Sequence, residues 1–159
     1  ISGIAMMMTP PTRTHQRIGL NLARLLDDAL ERHDPSLATF ERVGVTLAET
    51  PDYDPEPDVV VIDAAEPDER YAHRVHLFAE VVSSSDAPKV DSKRAVYRRH
   101  PACLVILTIE QTRAEVRLER RVGDGWSVAV LSGLDAVLDL AEFGLSCSLA
   151  DLYRKTAVT

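Results

Sequence analysis

Cysteine is scarce in this chain, with two in 159 residues, Cys103 and Cys147. Neither stands at the Cys/His spacing of a zinc site, and a disulfide-stapled fold would carry more. Both read as buried thiols, and Cys103 opens the apolar run Cys103-Leu104-Val105-Ile106-Leu107. Long hydrophobic runs are missing as well. Nothing approaches the roughly 20 apolar residues of a membrane span. No leader pattern opens the chain, so a cytoplasmic protein is expected. The chain begins at Ile1 rather than methionine, as expected of a fragment or of the ordered portion of something longer. Aromatic residues make up only 5%, with one tryptophan, Trp126. It reads as packed on a sheet more readily than as a platform for a stacked base. Positive charge is in deficit: 18 Lys and Arg against 25 Asp and Glu leave a formal −7. That balance opposes loose attachment to a polyanion. It leaves room for a nuclease in which a bound metal and a local basic patch offset the excess.

What remains is the composition of an ordinary globular protein, 45% apolar and 27% charged, without internal repeats. The length suits a single domain over residues 1–159 with one core.

Two stretches organise the reading. Pro57-Asp58-Val59-Val60-Val61-Ile62 and His76-Leu77-Phe78-Ala79-Glu80-Val81-Val82 both read as short apolar strands. Such runs lie in sheets covered on both sides, where an unpaired charge is costly, yet each carries one carboxylate. If the two form an antiparallel hairpin that closes at Ile62 and His76, Asp58 faces Glu80. Their Cβ atoms are then roughly 4.5–5.5 Å apart. Facing carboxylates repel, so the pair needs a cation, a proton or both. In an enzyme that cuts nucleic acid, a divalent metal is the usual answer.

Around these strands the chain reads in order as follows. Ile4–Met8 is a strand end, broken by Thr9-Pro10-Pro11-Thr12. From His15 to about Arg32 the pattern is helical, with Ile18, Leu22, Leu25, Leu26, Ala29 and Leu30 on one face, and Asp34-Pro35 stops it. His15 lies on that stripe, either as a half-exposed helix-start residue or as a group pointing into a site. Phe40–Leu47 reads as one strand, and residues 50–57 as a proline-rich acidic loop. Residues 63–74 form a charged connection with room for a turn of helix. After Ser83-Ser84-Ser85-Asp86 comes a helix from about Lys89 to Arg99. Its inner face holds Val90, Lys93 and Val96-Tyr97, and Asp91, Arg94 and Arg98 fall outside. Lys93 either snorkels to water or reaches back toward the two carboxylates. Arg94, Arg98 and Arg99 are either a solvated face or phosphate contacts. His100-Pro101 ends the helix. Strands follow at Cys103–Ile109, Arg113–Arg120 and Gly125–Ser132, with Gly123-Asp124-Gly125 as a hairpin turn. In the middle one Ala114, Val116 and Leu118 alternate with Glu115, Arg117 and Glu119, as in a strand with one wet face. Ala136–Leu140 is a short strand, and Ser148–Tyr153 a terminal helical turn.

Pro57-Asp58, then Glu80-Val81-Val82-Ser83, then Lys93 with Tyr97, then the strand near Cys103, resembles the Uma2 family of the restriction-endonuclease-like superfamily, whose motif is PD-(D/E)XK. Met8-Thr9-Pro10-Pro11 and His15-Gln16-Arg17-Ile18 are similar to that family's first helix. The resemblance runs from about Gly3 to Tyr153. It implies an α/β fold, a mixed central sheet flanked by helices, and metal-dependent cleavage of phosphodiesters. It also implies Asp58 and Glu80 as metal ligands, with the backbone carbonyl of Val81 as another, and Mg²⁺ as the ion, with Mn²⁺ as a substitute. The superfamily lysine ordinarily stands at the position of Val82. The family carries it on the next helix, which matches Lys93. His15 matches a helix position of the family motif. Two features depart from the pattern: Ser83-Ser84-Ser85 replaces a Ser-Pro pair, suggesting a looser turn, and a Gly and Trp after His100-Pro101 are missing.

The expected partners are nucleic acid, DNA foremost, and a second copy of the chain as a homodimer. Two other classes stay open. One is a catalytically weak binding or regulatory relative. The other is a structural module in which Asp58, Glu80 and Lys93 form a charge-balanced ion cluster.

Overall fold

A computed structural model describes residues 10–159, so the strand end read at Ile4–Met8 lies outside the described residues. Helix α1 spans Arg13–His33, and Thr12 caps it by accepting the N–H of His15 at 3.0 Å. Its apolar stripe is buried at Ile18, Leu22, Leu26, Ala29 and Leu30, as the spacing predicts. The strand expected over Phe40–Leu47 is instead two, β1 (Leu37–Glu41) and β2 (Gly44–Val45). Arg42 between them turns into the left-handed region at φ 55, which ends the ladder. β3 (Val59–Asp63), β4 (Tyr71–Ala72) and β5 (Val75–Val82) follow. Residues 63–74 hold no helical turn. Asp68 accepts the N–H groups of Arg70 and Tyr71 and closes a tight turn that lets β4 pair with β2.

Helix α2 (Ala87–Arg99) crosses from β5 to β6 (Val105–Glu110), which makes that pair parallel. The chain then meanders through β7 (Glu115–Val122) and β8 (Gly125–Ser132) around Gly123, which sits at φ 57. The hairpin β9 (Val137–Leu140) and β10 (Leu145–Ser148) and the short α3 (Leu149–Leu152) finish it. Among the described residues six strands form a mixed sheet in the order β1-β3-β5-β6-β7-β8. Val59, Val61, Leu77, Ala79 and Val81 pack with α1 and the β9–β10 hairpin. Val60, Ile62, Phe78 and Ile106 face Tyr97 of α2 on the other side. Cys103 and Cys147 are free, buried thiols. Among the described residues no helix is long and apolar enough to cross a membrane.

The β3–β5 register is the expected one from Val59↔Ala79 to Val61↔Leu77. A bulge then pairs Ile62 with Val75 instead of His76. The extra residue is His76, and its Nε2 lies 2.9 Å from Asp63 Oδ1. A bulge that leaves one residue outside the ladder frees this side chain for Asp63.

Behind the sheet, buried His100 accepts the Val75 N–H at Nε2, at 3.0 Å. Only an imidazole unprotonated at Nε2 can accept there. Burial pushes its pKa down, against the opposing pull of Glu49. A depressed folded-state pKa means that the unfolded chain takes up the proton first. His100 therefore contributes stability above the ordinary value of about 6.5, and that stability drains away as pH falls below it. His100→Gln keeps an acceptor but does not titrate. Its melting temperature should change less between pH 7.5 and pH 5 than that of the wild type. Parallel curves would remove His100 from the acid response.

Candidate active site

Asp58 precedes β3, at the point where the Pro57 ring ends the acidic loop and the ladder begins. Its Oδ2 accepts the Val81 N–H at 2.8 Å and lies 3.3 Å from His15 Nε2. The Val81 carbonyl belongs to the same arrangement. Along β5, His76 and Val82 turn their carbonyls to the β6 side, where Leu104 and Gln111 donate to them. Strand alternation then turns Val81 to the β3 side, past the end of that strand and toward Asp58.

Glu80 is on the next strand, and only 7% of its side chain is exposed. Its Oε1 accepts the Tyr97 hydroxyl at 2.6 Å and lies 3.5 Å from Lys93 Nζ. Lys93 and Tyr97 are neighbours one helical turn apart on α2. Tyr97 is fully buried and stacks on Phe78 at 4.0 Å, nearly parallel, which holds its hydroxyl on the carboxylate. Burial lifts the Glu80 pKa above the usual carboxylate range. Lys93 and the Tyr97 hydrogen bond oppose that rise, and the charge of Asp58 adds to it. His15 is shifted upward, first by its hydrogen bond to Asp58, while partial burial and Arg42 pull the other way.

The structure thus brings Asp58, Glu80, Val81, Lys93 and His15 to one cleft of about 790 Å³, which Arg42 also lines. Lys93 reaches back to Glu80, and His15 points inward to Asp58 rather than standing at a solvated helix start. The turn into α2 is not loose. The Ser83 N–H and hydroxyl both donate to Asp86, at 2.9 Å each, and pin a single 3-10 turn over Ser84–Asp86.

Two placements differ from those expected. Arg94 and Arg98 do not lie on an outer face but point down at Glu119, which is completely buried. On the strand face read as wet, Glu115 and Arg117 stay part-exposed, but Glu119 is covered by arginines of α2, and charge pairing makes its burial tolerable. Arg98 Nε donates to Glu119 Oε1 at 2.8 Å, and Arg94 and Arg117 approach Oε2 at 3.5 and 3.7 Å. These arginines are therefore occupied. Trp126 packs on the α2-side core under Arg98 and Arg121, with Arg121 4.7 Å from the ring centre. Sequence reasoning also assigned no role to the Tyr97 hydroxyl. The available signal was a tyrosine at an inner-face position where a purely apolar residue would suffice.

Among the described residues, no group of three His, Cys, Asp or Glu side chains is assembled to hold a metal. Asp58, Glu80 and the Val81 carbonyl offer oxygen donors only, and Glu56 and Asp86 also line the cleft. Among the described residues no hydrogen bond reaches Asp58 Oδ1 or Glu80 Oε2. A partial oxygen shell of this kind suits Mg²⁺, which retains several waters and takes one or two carboxylates.

Comparison with known proteins gives the family and the fold. The family model described as "Uma2: Putative restriction endonuclease" matches residues 1–150. A crystal structure of a putative nuclease belonging to DUF820 from Anabaena variabilis ATCC 29413 superposes with a TM-score of 0.72 at 16% identity, covering 96% of this chain and 87% of that one. No curated protein matches.

Proposed function

This chain belongs to the Uma2 family, and we propose that it is a metal-dependent nuclease that hydrolyses phosphodiester bonds, with DNA as its substrate. One observation carries the reading. Asp58, at the entry to β3, and Glu80, on the adjacent β5, open into one cleft with Lys93 against Glu80, and among the described residues each carboxylate has one oxygen free of protein hydrogen bonds. Asp58, Glu80 and the Val81 carbonyl would hold Mg²⁺, or Mn²⁺ in its place. The ion would supply charge stabilisation at the phosphate and help activate water near neutral pH.

The protein's own groups do the positioning. The Val81 N–H and His15 fix the Asp58 carboxylate through Oδ2, and among the described residues Oδ1 takes no hydrogen bond. Tyr97 does the same for Glu80 through Oε1. Lys93 is 32% exposed on the cleft side, free to orient the attacking water or to steady the phosphate as a point charge. Hydrolysis forms one P–O bond from water and breaks another, and the leaving oxygen takes a proton. Cutting both strands of a duplex needs two such clefts, which a homodimer would supply.

Metal binding tests the ligand assignment. Mg²⁺ or Mn²⁺ at 100 times its Kd should stabilise the fold by about 2.7 kcal/mol, roughly a 5–10 °C rise in melting temperature. Asp58→Asn keeps an oxygen for the Val81 N–H but removes the charge. It should abolish most of that rise and all plasmid cleavage. A variant with the full metal response would exclude Asp58 as a ligand.

A further inference from the structure

A second cleft, of about 550 Å³, lies beside the candidate active site, between the first turns of α1 and the chain's C-terminal segment. Arg13, Thr14, Gln16 and Arg17 line one side, and Lys155 and Thr156 the other. Among the described residues no Asp or Glu lines it, in a chain with 25 of them. The sequence explains why: no Asp or Glu precedes Asp27. Among the described residues, Arg13, Arg17 and Lys155 make no ion pair.

Stability does not account for these cations. Arg13 and Arg17 occupy the start of α1, where the helix dipole disfavours positive charge. Lys155 takes a left-handed backbone at φ 62, an uncommon conformation for a residue with a side chain. Its position is built. Buried Asn21 donates to the carbonyls of Leu152 and Arg154, both at 2.8 Å, and so holds the C-terminal segment against α1. One residue, Gln16, separates the cleft from the active-site side of α1. Gln16 lines both the cleft and the hollow that contains His15, Arg42 and Asp58.

We infer that Arg13, Arg17 and Lys155 form a phosphate track for the sugar–phosphate backbone of duplex DNA flanking the scissile bond. The inference rests on the nuclease reading for the identity of the polyanion. The chemistry is non-specific: exposed guanidinium and ammonium groups position a backbone and read no bases. The net charge of −7 makes such a track necessary, because a long polyanion is otherwise repelled.

The test measures binding apart from cleavage. A fluorescein-labelled 30-base-pair duplex is titrated in EDTA, by anisotropy, from 25 to 200 mM KCl. Arg13→Ala/Arg17→Ala/Lys155→Ala should weaken binding about tenfold or more at 50 mM and lower the slope of log K against log salt by about 2 to 3. Arg24→Ala/Arg32→Ala, farther along the same helix, should bind like the wild type. If the triple variant melts early, Arg17→Glu and Lys155→Glu singly must each weaken binding. An unchanged affinity and slope, or a wild type that binds no duplex, overturns the track. The nuclease reading fails separately, through a wild type that cleaves no nucleic acid in Mg²⁺ or Mn²⁺. Loss of binding in the triple variant without any cleavage by the wild type would keep the track and sink the enzyme.

Discussion

Lys93→Ala should lose cleavage by about 10²–10⁴-fold at saturating metal while the fold holds, the range expected when a positioned proton-transfer group is removed. The lysine has two separable tasks. One is to balance Glu80, whose carboxyl is already pushed upward by burial. The other is to act on water or phosphate from its exposed side. If charge balance is the whole task, Glu80 in Lys93→Ala takes a proton or a metal ion, and saturating metal restores the rate. If Lys93 acts in the chemical step, metal restores stability but not turnover. The comparison uses a supercoiled plasmid and a single-stranded oligonucleotide in Mn²⁺, alongside melting curves with and without metal. Equal rates for wild type and variant would take Lys93 out of the mechanism.

Glu119→Ala should destabilise the protein by about 3–5 kcal/mol, the usual cost of stranding the partners of a buried charge. For a chain of this size that is roughly a 6–20 °C fall in melting temperature. Glu119 is entirely buried and faces Arg94, Arg98 and Arg117, so its removal leaves three cations around one hole. Arg98 and Arg117 are each more than a third exposed, so water relieves part of the repulsion and favours the lower end. Glu119→Gln keeps the volume and an acceptor and should cost less. The effect should reach the active site as well. Arg94 flanks Lys93 on α2, and loosening that helix lets Lys93 drift from Glu80. Denaturant unfolding measures the first effect and plasmid cleavage the second. A loss under about 1 kcal/mol would show that Glu119 is not the counter-charge that holds α2 down.

Much of the fold was legible because local patterns and tertiary packing agree. The α1 stripe has a single hydrophobic face, and one face can only be buried. Asp58 and Glu80 were legible for the opposite reason: each breaks an apolar strand at a cost that something must offset. The register assumed for their hairpin held from Val59 to Val61. It failed at His76, because a bulge answers to a particular partner, Asp63, and not to periodicity.

The α2 helix marks the limit. Its periodicity places Lys93 and Tyr97 on one face, but Arg94 and Arg98 stand at the edge of that stripe and could turn either way. Only the position of β7 beneath α2 decided it, by offering Glu119. An isolated strand reading Ala114, Glu115, Val116, Arg117, Leu118, Glu119 has a wet face by every local rule. What covers Glu119 on that face comes from a segment some 20 residues earlier in the chain, and no local pattern carries that information. The basic cleft is similar. Its two arginines and its lysine lie at opposite ends of the sequence, and they meet because Asn21 binds the backbone at Leu152 and Arg154. The sequence by itself determined the residue types, the two strands and the helix that bring Asp58, Glu80 and Lys93 near one another. The tertiary structure decided which charges are spent on each other and which remain open to a ligand, because pairing depends on distance in space.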